Sequence, residues 1–505
     1  MDKSLLILQK FIEARQDKYI KRLKQLVAIQ SISSELDHRY DVLKALRWCA
    51  LKFQKLGFSI RYRIVGPENV YVGDKLPLHS DEQAELPYVV CAEYGNDLTK
   101  RTVLIYGHVD VKPIDKDENW THDPFDLQVV GDYMWARGVT DDKGPVVGWL
   151  NAIEAYVKTK IEIPVNIRVL IDGSEETGSE GIRVLLNEMK KDFLKRIDYV
   201  AISDNYWLGM NTPCLTYGLR GVIYFYVYVE GPKKHLHSGA HGGAVQEPLE
   251  DLDALLASLV DKDGKVLVPN LYDSVRKPDE EELRRFAKLD FTIPTYGGQI
   301  TTSALYEASK VEILQRKWCL PCITVHGIED SFDKIGAPTL IPKKVMGKFS
   351  VRIVPDQNPR KIADLVRKHL ESVHKKRRSG NRLEIKVFRD GQPFLADHTC
   401  PNFTAAKRAI THVWGKQPDL TRDGATIAMA VALEETTNRD VVLIPMGQCM
   451  DSQHEVNERL SVKNYIKGIQ VFACYLFHIA ALDKEDSDLE AERQLQRKKW
   501  RHTFW

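Results

Sequence analysis

Four short β-branched runs, Thr102 to Tyr106, Val165 to Ile171, Tyr199 to Ser203 and Asp440 to Pro445, constrain this chain more than any other feature. They are too short for packed helices and lack polar alternation, so they read as strands buried on both faces. Helical patterns at Pro145 to Tyr156 and Gly181 to Met189 separate the first three runs. Strands joined through helices re-enter a sheet in the same direction, which predicts an α/β unit with a mostly parallel sheet and helices on both faces.

The stretch from about Gly218 to Val387 differs in texture. Alternating strands (Val222 to Val229, Lys348 to Val354, Leu383 to Phe388) accompany two amphipathic helices, Pro248 to Leu259 and Pro359 to Val373. This pattern predicts an α+β domain inserted into the first. The expected division is 1–217 and 393–482 for the discontinuous catalytic domain, 218–392 for the insert, and 483–505 for a charged C-terminal extension. Apolar spacing at Leu5, Leu8, Ile12, Tyr19, Leu23 and Leu26, and again from Val42 to Leu56, predicts packed N-terminal helices ahead of Gly57. The basic run His374 to Arg378 is expected to be a solvated turn that ends a helix.

Composition narrows the function. The 72 Lys plus Arg residues nearly cancel the 70 Asp plus Glu, a net charge of +2, so no global field recruits nucleic acid or an anionic membrane. No apolar window is long enough for a membrane span, and no secretory leader is recognisable. Eight scattered cysteines suit reduced thiols, which predicts a cytoplasmic protein. Cys319-Leu320-Pro321-Cys322 has C-x-x-C spacing but precedes a strand and carries no redox or zinc expectation.

Chemistry gathers at the strand ends. The first run leads into Gly107-His108-Val109-Asp110, the second into Asp172-Gly173-Ser174-Glu175-Glu176, the third into Asp204-Asn205, and the fourth through Gly447 to His454. The turn Thr140-Asp141-Asp142-Lys143-Gly144 adds a further carboxylate. Ligands bind at the carboxyl ends of parallel strands, so these groups should converge on one cleft. Histidines with carboxylates suit a borderline divalent ion such as zinc or manganese, and crowded carboxylates need cations to offset their repulsion. Read alone, Glu175 also suits a helix N-terminal acid, His237 a turn, and Arg352 the exposed face of a strand.

Five segments taken together carry a resemblance. Gly107-His108-Val109-Asp110-Val111, Thr140-Asp141-Asp142-Lys143-Gly144-Pro145, Glu175-Glu176-Thr177-Gly178-Ser179, Ser203-Asp204-Asn205-Tyr206-Trp207 and Leu236-His237-Ser238-Gly239 resemble, in order, the M20 di-metal peptidases. Within that family the chain is similar to the cytosolic nonspecific dipeptidase branch, which acts on carnosine and Cys-Gly. The resemblance runs from about residue 20 to 480.

It implies two divalent ions per chain, zinc or manganese, bridged by Asp141, with His108 and Asp204 completing one shell and Glu176 and His454 the other. Glu175 would be the general base acting on a metal-bridging water, and Asp110 would orient His108. A cis peptide is implied between Asp141 and Asp142. The resemblance also implies a homodimer in which the inserted domain is lid and interface, and His237 enters the partner's site to stabilise the oxyanion. Thr339 and Arg352 would hold the dipeptide, Arg352 through its C-terminal carboxylate.

Two segments depart from the family pattern. Gly424-Ala425-Thr426 carries Thr426 where relatives have Ser, and Gln448 to Gln453 replaces a Gly-rich approach to His454. Both touch the substrate wall, so reaction class is firmer than substrate choice. An N-acyl amino acid deacylase or carboxypeptidase of the same fold is the alternative activity. A catalytically dead scaffold is opposed by the intact ligand set and Glu175.

Overall fold

The computed structural model describes residues 2–64, 88–115, 117–331, 336 and 338–482; the expected C-terminal extension, 483–505, lies outside them. The largest sheet runs in the order Ser59–Ile64, Tyr88–Tyr94, Asn166–Asp172, Thr102–His108, Tyr199–Ile202, Val441–Leu443, Cys214–Leu219 and Phe394–Leu395, with Asp419–Asp423 also paired to Cys214–Leu219. The four strands from Asn166–Asp172 to Val441–Leu443 are mutually parallel, and antiparallel pairings flank them. Every residue of Thr102–His108 and Asn166–Asp172 is buried, as expected of strands without polar alternation. The register sets His108 beside Asp172 and Tyr106 beside Ile202, so the ligand-bearing ends lie along one edge.

Helix Lys143–Thr159 connects Thr102–His108 to the neighbour on one side, and helix Ile182–Met189 carries the chain back past it to Tyr199–Ile202 on the other. Right-handed crossovers in opposite directions put the two helices on opposite faces. The packing agrees. Lys143–Thr159 lies against helices Lys3–Glu13, Gln16–Val27 and Val462–Ala480, whereas Ile182–Met189 lies against Ala428–Thr437. Trp149 stacks on Phe472 at 4.0 Å between ring centroids, and its Nε1 donates to Ser203 Oγ at 3.2 Å. One buried indole thereby ties this helix both to the C-terminal helix and to the loop that carries Asp204.

A second, antiparallel sheet has the order Cys322–Glu329, Lys344–Ile353, Gly221–Glu230 and Arg382–Gly391. Gly221–Glu230 alternates buried and partly exposed residues, and helices Pro248–Ala257 and Pro359–Arg377 pack against this sheet over a separate apolar core. A third cluster joins Phe286, Phe291, Leu314 and Trp318 on helices and turns that the sequence reading left unassigned. Helix Pro359–Arg377 runs through the basic stretch expected as a turn. Its cations sit on the last turn, where the helix dipole favours them, and the left-handed Arg378 ends it. The strand expected at 440–445 shortens to Val441–Leu443, since Pro445 has no N–H with which to continue the ladder. All eight cysteines are free, and no helix among the described residues is long and apolar enough to cross a membrane.

Candidate active site

His108, the last residue of its strand, is fully buried. Its Nδ1 faces the Asp110 carbonyl at 3.1 Å and Asp110 Oδ1 at 3.3 Å, which leaves Nε2 directed to Asp141 Oδ1 at 3.2 Å and Asp204 Oδ1 at 3.5 Å. Asp110 does more than orient the ring. Its two oxygens accept the Glu175 and Glu176 N–H groups at 3.1 and 3.0 Å, and Oδ2 also accepts Ser33 Oγ at 2.6 Å. One carboxylate thus fixes both the His108 imidazole and the turn bearing the paired glutamates.

The Asp141 turn is held by a residue the sequence reading missed. Buried Glu458 accepts Arg137 Nη1 at 3.0 Å and the N–H groups of Gly138, Thr140 and Asp141 at 2.8, 3.0 and 3.3 Å. Gly138 has φ +75°, and a Cβ there would stand 2.5 Å from Val111 Cγ1, so the turn requires glycine. The Asp141–Asp142 peptide is cis. Asp142 points back and accepts the His108 N–H at 3.2 Å. Nothing in the local pattern marks Glu458 as an anchor; its position four residues after His454 is the only hint.

His454 closes the arrangement from the far end of the chain. Its Nε2 lies 2.9 Å from Asp141 Oδ2 and 3.0 Å from Glu176 Oε1. The approach passes Gly447, where a Cβ would meet Thr140 Oγ1 at 2.5 Å and the Tyr206 ring at 2.7 Å. His454 itself has φ +60°, an uncommon conformation for a residue with a side chain. Its side chain is 44% exposed against 5% for Glu176, so this side of the cluster is open to solvent.

The five expected ligands therefore form two groups, His108–Asp141–Asp204 and Asp141–Glu176–His454, each with its ligand atoms within 4.8 Å of one another. One imidazole nitrogen with two carboxylates per group fits a borderline divalent ion. The electrostatics call for cations as well. Burial, then the neighbouring Asp204, pushes the Glu175 carboxyl well above its usual range, and burial pushes Asp204 up to about 6. Burial alone would lower His454, but Asp141 and Glu176 override it and hold the ring at about 10. Carboxylates crowded in this way are stabilised by positive charge, and the histidines must shed protons to ligate.

The expected substrate residues fall in two places. Arg352, on Lys344–Ile353, donates from Nη1 to Thr426 Oγ1 at 3.0 Å, and Thr426 donates to the Arg220 carbonyl at 2.7 Å. His237 and Thr339 are exposed on a two-stranded ribbon, with His237 Nε2 and Thr339 Oγ1 3.1 Å apart. Among the described residues no hydrogen bond or ion pair links that ribbon pair to the ligand groups.

Comparison with known proteins agrees with this geometry. The family model for peptidase family M20/M25/M40 matches residues 104–478. The Cys-Gly metallodipeptidase of Candida albicans is 40% identical over 470 residues, 92% of this chain and 96% of that protein. The human Beta-Ala-His dipeptidase is 38% identical over 474 residues, 94% of this chain and 92% of that protein. The solved structure of the di-peptidase Dug1p from Saccharomyces cerevisiae superposes with a TM-score of 0.86 at 35% identity, covering 96% of this chain and all of that one.

Proposed function

Because this chain belongs to peptidase family M20/M25/M40, we propose that it hydrolyses the peptide bond of dipeptides, Cys-Gly and β-alanyl-histidine types among them, with two divalent ions and Glu175 as general base. The observation that carries this reading is the sharing of Asp141 between two ligand groups, with Glu175 adjacent in sequence to one ligand and outside both groups. The ions, zinc or manganese, would supply Lewis acidity to the scissile carbonyl and the attacking water.

The protein's own residues supply the rest. Glu175 takes the proton of the attacking water and returns it to the leaving amine, and its burial makes it a stronger base than a solvated carboxylate. Its N–H bond to Asp110 holds the turn in place while the side chain works. Arg352 presents a planar fork to the free C-terminal carboxylate that distinguishes a dipeptide, and Thr426 steadies that fork. In this reading 218–392 is the lid and subunit interface, and the enzyme is a cytoplasmic homodimer; the free thiols support the compartment. His237 and Thr339 lie exposed while the ligand groups are largely buried, which supports their acting on the site of another copy.

Chelation, substrate-comparison, mutational and subunit-mixing experiments test this reading. Chelation should abolish hydrolysis of Cys-Gly and β-alanyl-histidine, and zinc or manganese should restore it. Cleavage of N-acetylated amino acids in place of free dipeptides would overturn the substrate class. His237→Ala should lower kcat about a hundredfold, the scale of one lost oxyanion donor, with metal content unchanged. Mixing dissociated His237→Ala and Glu175→Gln subunits should regain activity, because the hybrid has one complete site; failure to regain any would overturn the cross-subunit role.

A further inference from the structure

Arg352 is not the only cation beside the substrate residues. Arg220 lies between the two sheets, where its Nε donates to the Gly424 carbonyl at 3.3 Å and its Nη1 lies 3.2 Å from Cys322 Sγ. Cys322 is directly opposite Arg352 in the register, so the two guanidinium-bearing residues share one patch. Lys317 closes it from helix Lys310–Trp318. A Cβ on Gly424 would stand 2.9 Å from Arg220 Nη2 and 3.3 Å from the Lys317 carbonyl. The Lys317 ammonium lies 4.4 Å from the Tyr296 ring centroid, and Tyr296 lines one cavity together with Cys449, on the approach to His454.

Among the described residues none of these three cations forms an ion pair. The one carboxylate that acts on both Lys317 and Arg352 is Asp423, whose Oδ1 already accepts the Ala425 N–H at 3.0 Å. Desolvation is the largest influence on Lys317 and Arg352 and disfavours their charged forms. Unpaired, partly desolvated cations cost free energy that a bound anion recovers. Three positive groups against one carboxylate leave room for two anionic groups.

On the dipeptidase reading, on which this inference rests, Arg352 takes the substrate's C-terminal carboxylate. We propose that Arg220 and Lys317 form an adjoining subsite for a second carboxylate, the acidic side chain of the C-terminal residue, so that dipeptides ending in glutamate or aspartate are favoured substrates. The free Nη2 of Arg220 and the ammonium of Lys317 are the groups that would bind it.

The test compares Ala-Glu with Ala-Gln, which differ in charge and scarcely in shape, on the metal-reconstituted enzyme. The kcat/KM ratio should favour Ala-Glu by about tenfold or more, the scale of one charge-assisted contact. Lys317→Met should bring the ratio close to one, and Lys317→Arg should retain it, with Ala-Gln turnover reporting that each variant is folded. Equal kcat/KM for the two substrates, or a ratio unchanged in Lys317→Met, overturns the subsite and leaves the dipeptidase reading standing. If no dipeptide is hydrolysed, that reading falls instead, and calorimetry of the two peptides on the reconstituted protein decides the subsite: tighter binding of Ala-Glu supports it and equal binding overturns it.

Discussion

Replacing Glu175 by glutamine should lower kcat by about two to four orders of magnitude, the contribution of a positioned general base, while metal content stays at the wild-type level. The amide matches the carboxylate in size, so neither the Glu175 N–H bond to Asp110 nor the neighbouring Glu176 N–H bond is disturbed. What disappears is the ability to accept a proton at the place where the water attacks. Steady-state kinetics with elemental analysis of the same sample measures both quantities. A kcat within tenfold of wild type would remove Glu175 from the mechanism, and loss of metal would recast it as a ligand.

Asp141→Asn should have a broader effect, because this carboxylate alone belongs to both ligand groups. Its Oδ1 faces His108 Nε2 at 3.2 Å and its Oδ2 faces His454 Nε2 at 2.9 Å. Asparagine keeps the shape but offers one neutral acceptor and a donor, so neither ion retains its full anionic shell. Metal content should fall from two ions per chain towards none, and kcat should drop by about a thousandfold or more, the several kcal/mol that metal assistance supplies. His454→Ala is the contrast: it leaves His108, Asp141 and Asp204 intact and should cost one ion. Thermal unfolding gives an independent readout, since a ligand that binds only the native state raises Tm. Zinc or manganese should raise the Tm of the wild type and leave that of Asp141→Asn almost unchanged. A full metal complement in Asp141→Asn would falsify the bridging role.

The convergence of His108, Asp141, Glu176, Asp204 and His454 could be anticipated in part because parallel strands deliver their carboxyl ends to one edge: His108 ends its strand and Glu176 and Asp204 come shortly after theirs, while Asp141 and His454 arrive from turns. Short apolar runs without alternation made the strands themselves readable. Strand order was not, since it depends on which way each crossover turns. Glu458 was hidden because its role is purely tertiary: a carboxylate accepting three backbone N–H groups from a turn more than 300 residues earlier leaves no local pattern. The Arg220 and Lys317 patch was invisible for the same reason. Each lies in an ordinary local setting, a strand junction and a helix end, and only the packing of three segments brings them together. Helices around the Phe286 and Trp318 cluster escaped because their apolar stripes are short, and one of them, Ile293–Ile300, also carries proline and glycine.

The anchoring of the Asp141 turn by Glu458 also bears on how the enzyme is made. A chain emerging from the ribosome presents His108, Asp141 and Asp204 long before His454 and Glu458 are synthesised. Until then one ligand group lacks its histidine, and the shared aspartate sits on a turn whose N–H groups lack the Glu458 acceptor. Completion of both ligand groups is therefore a late event in biosynthesis, and a product truncated before His454 would carry His108, Asp141, Glu176 and Asp204 without Glu458 to hold the Asp141 turn.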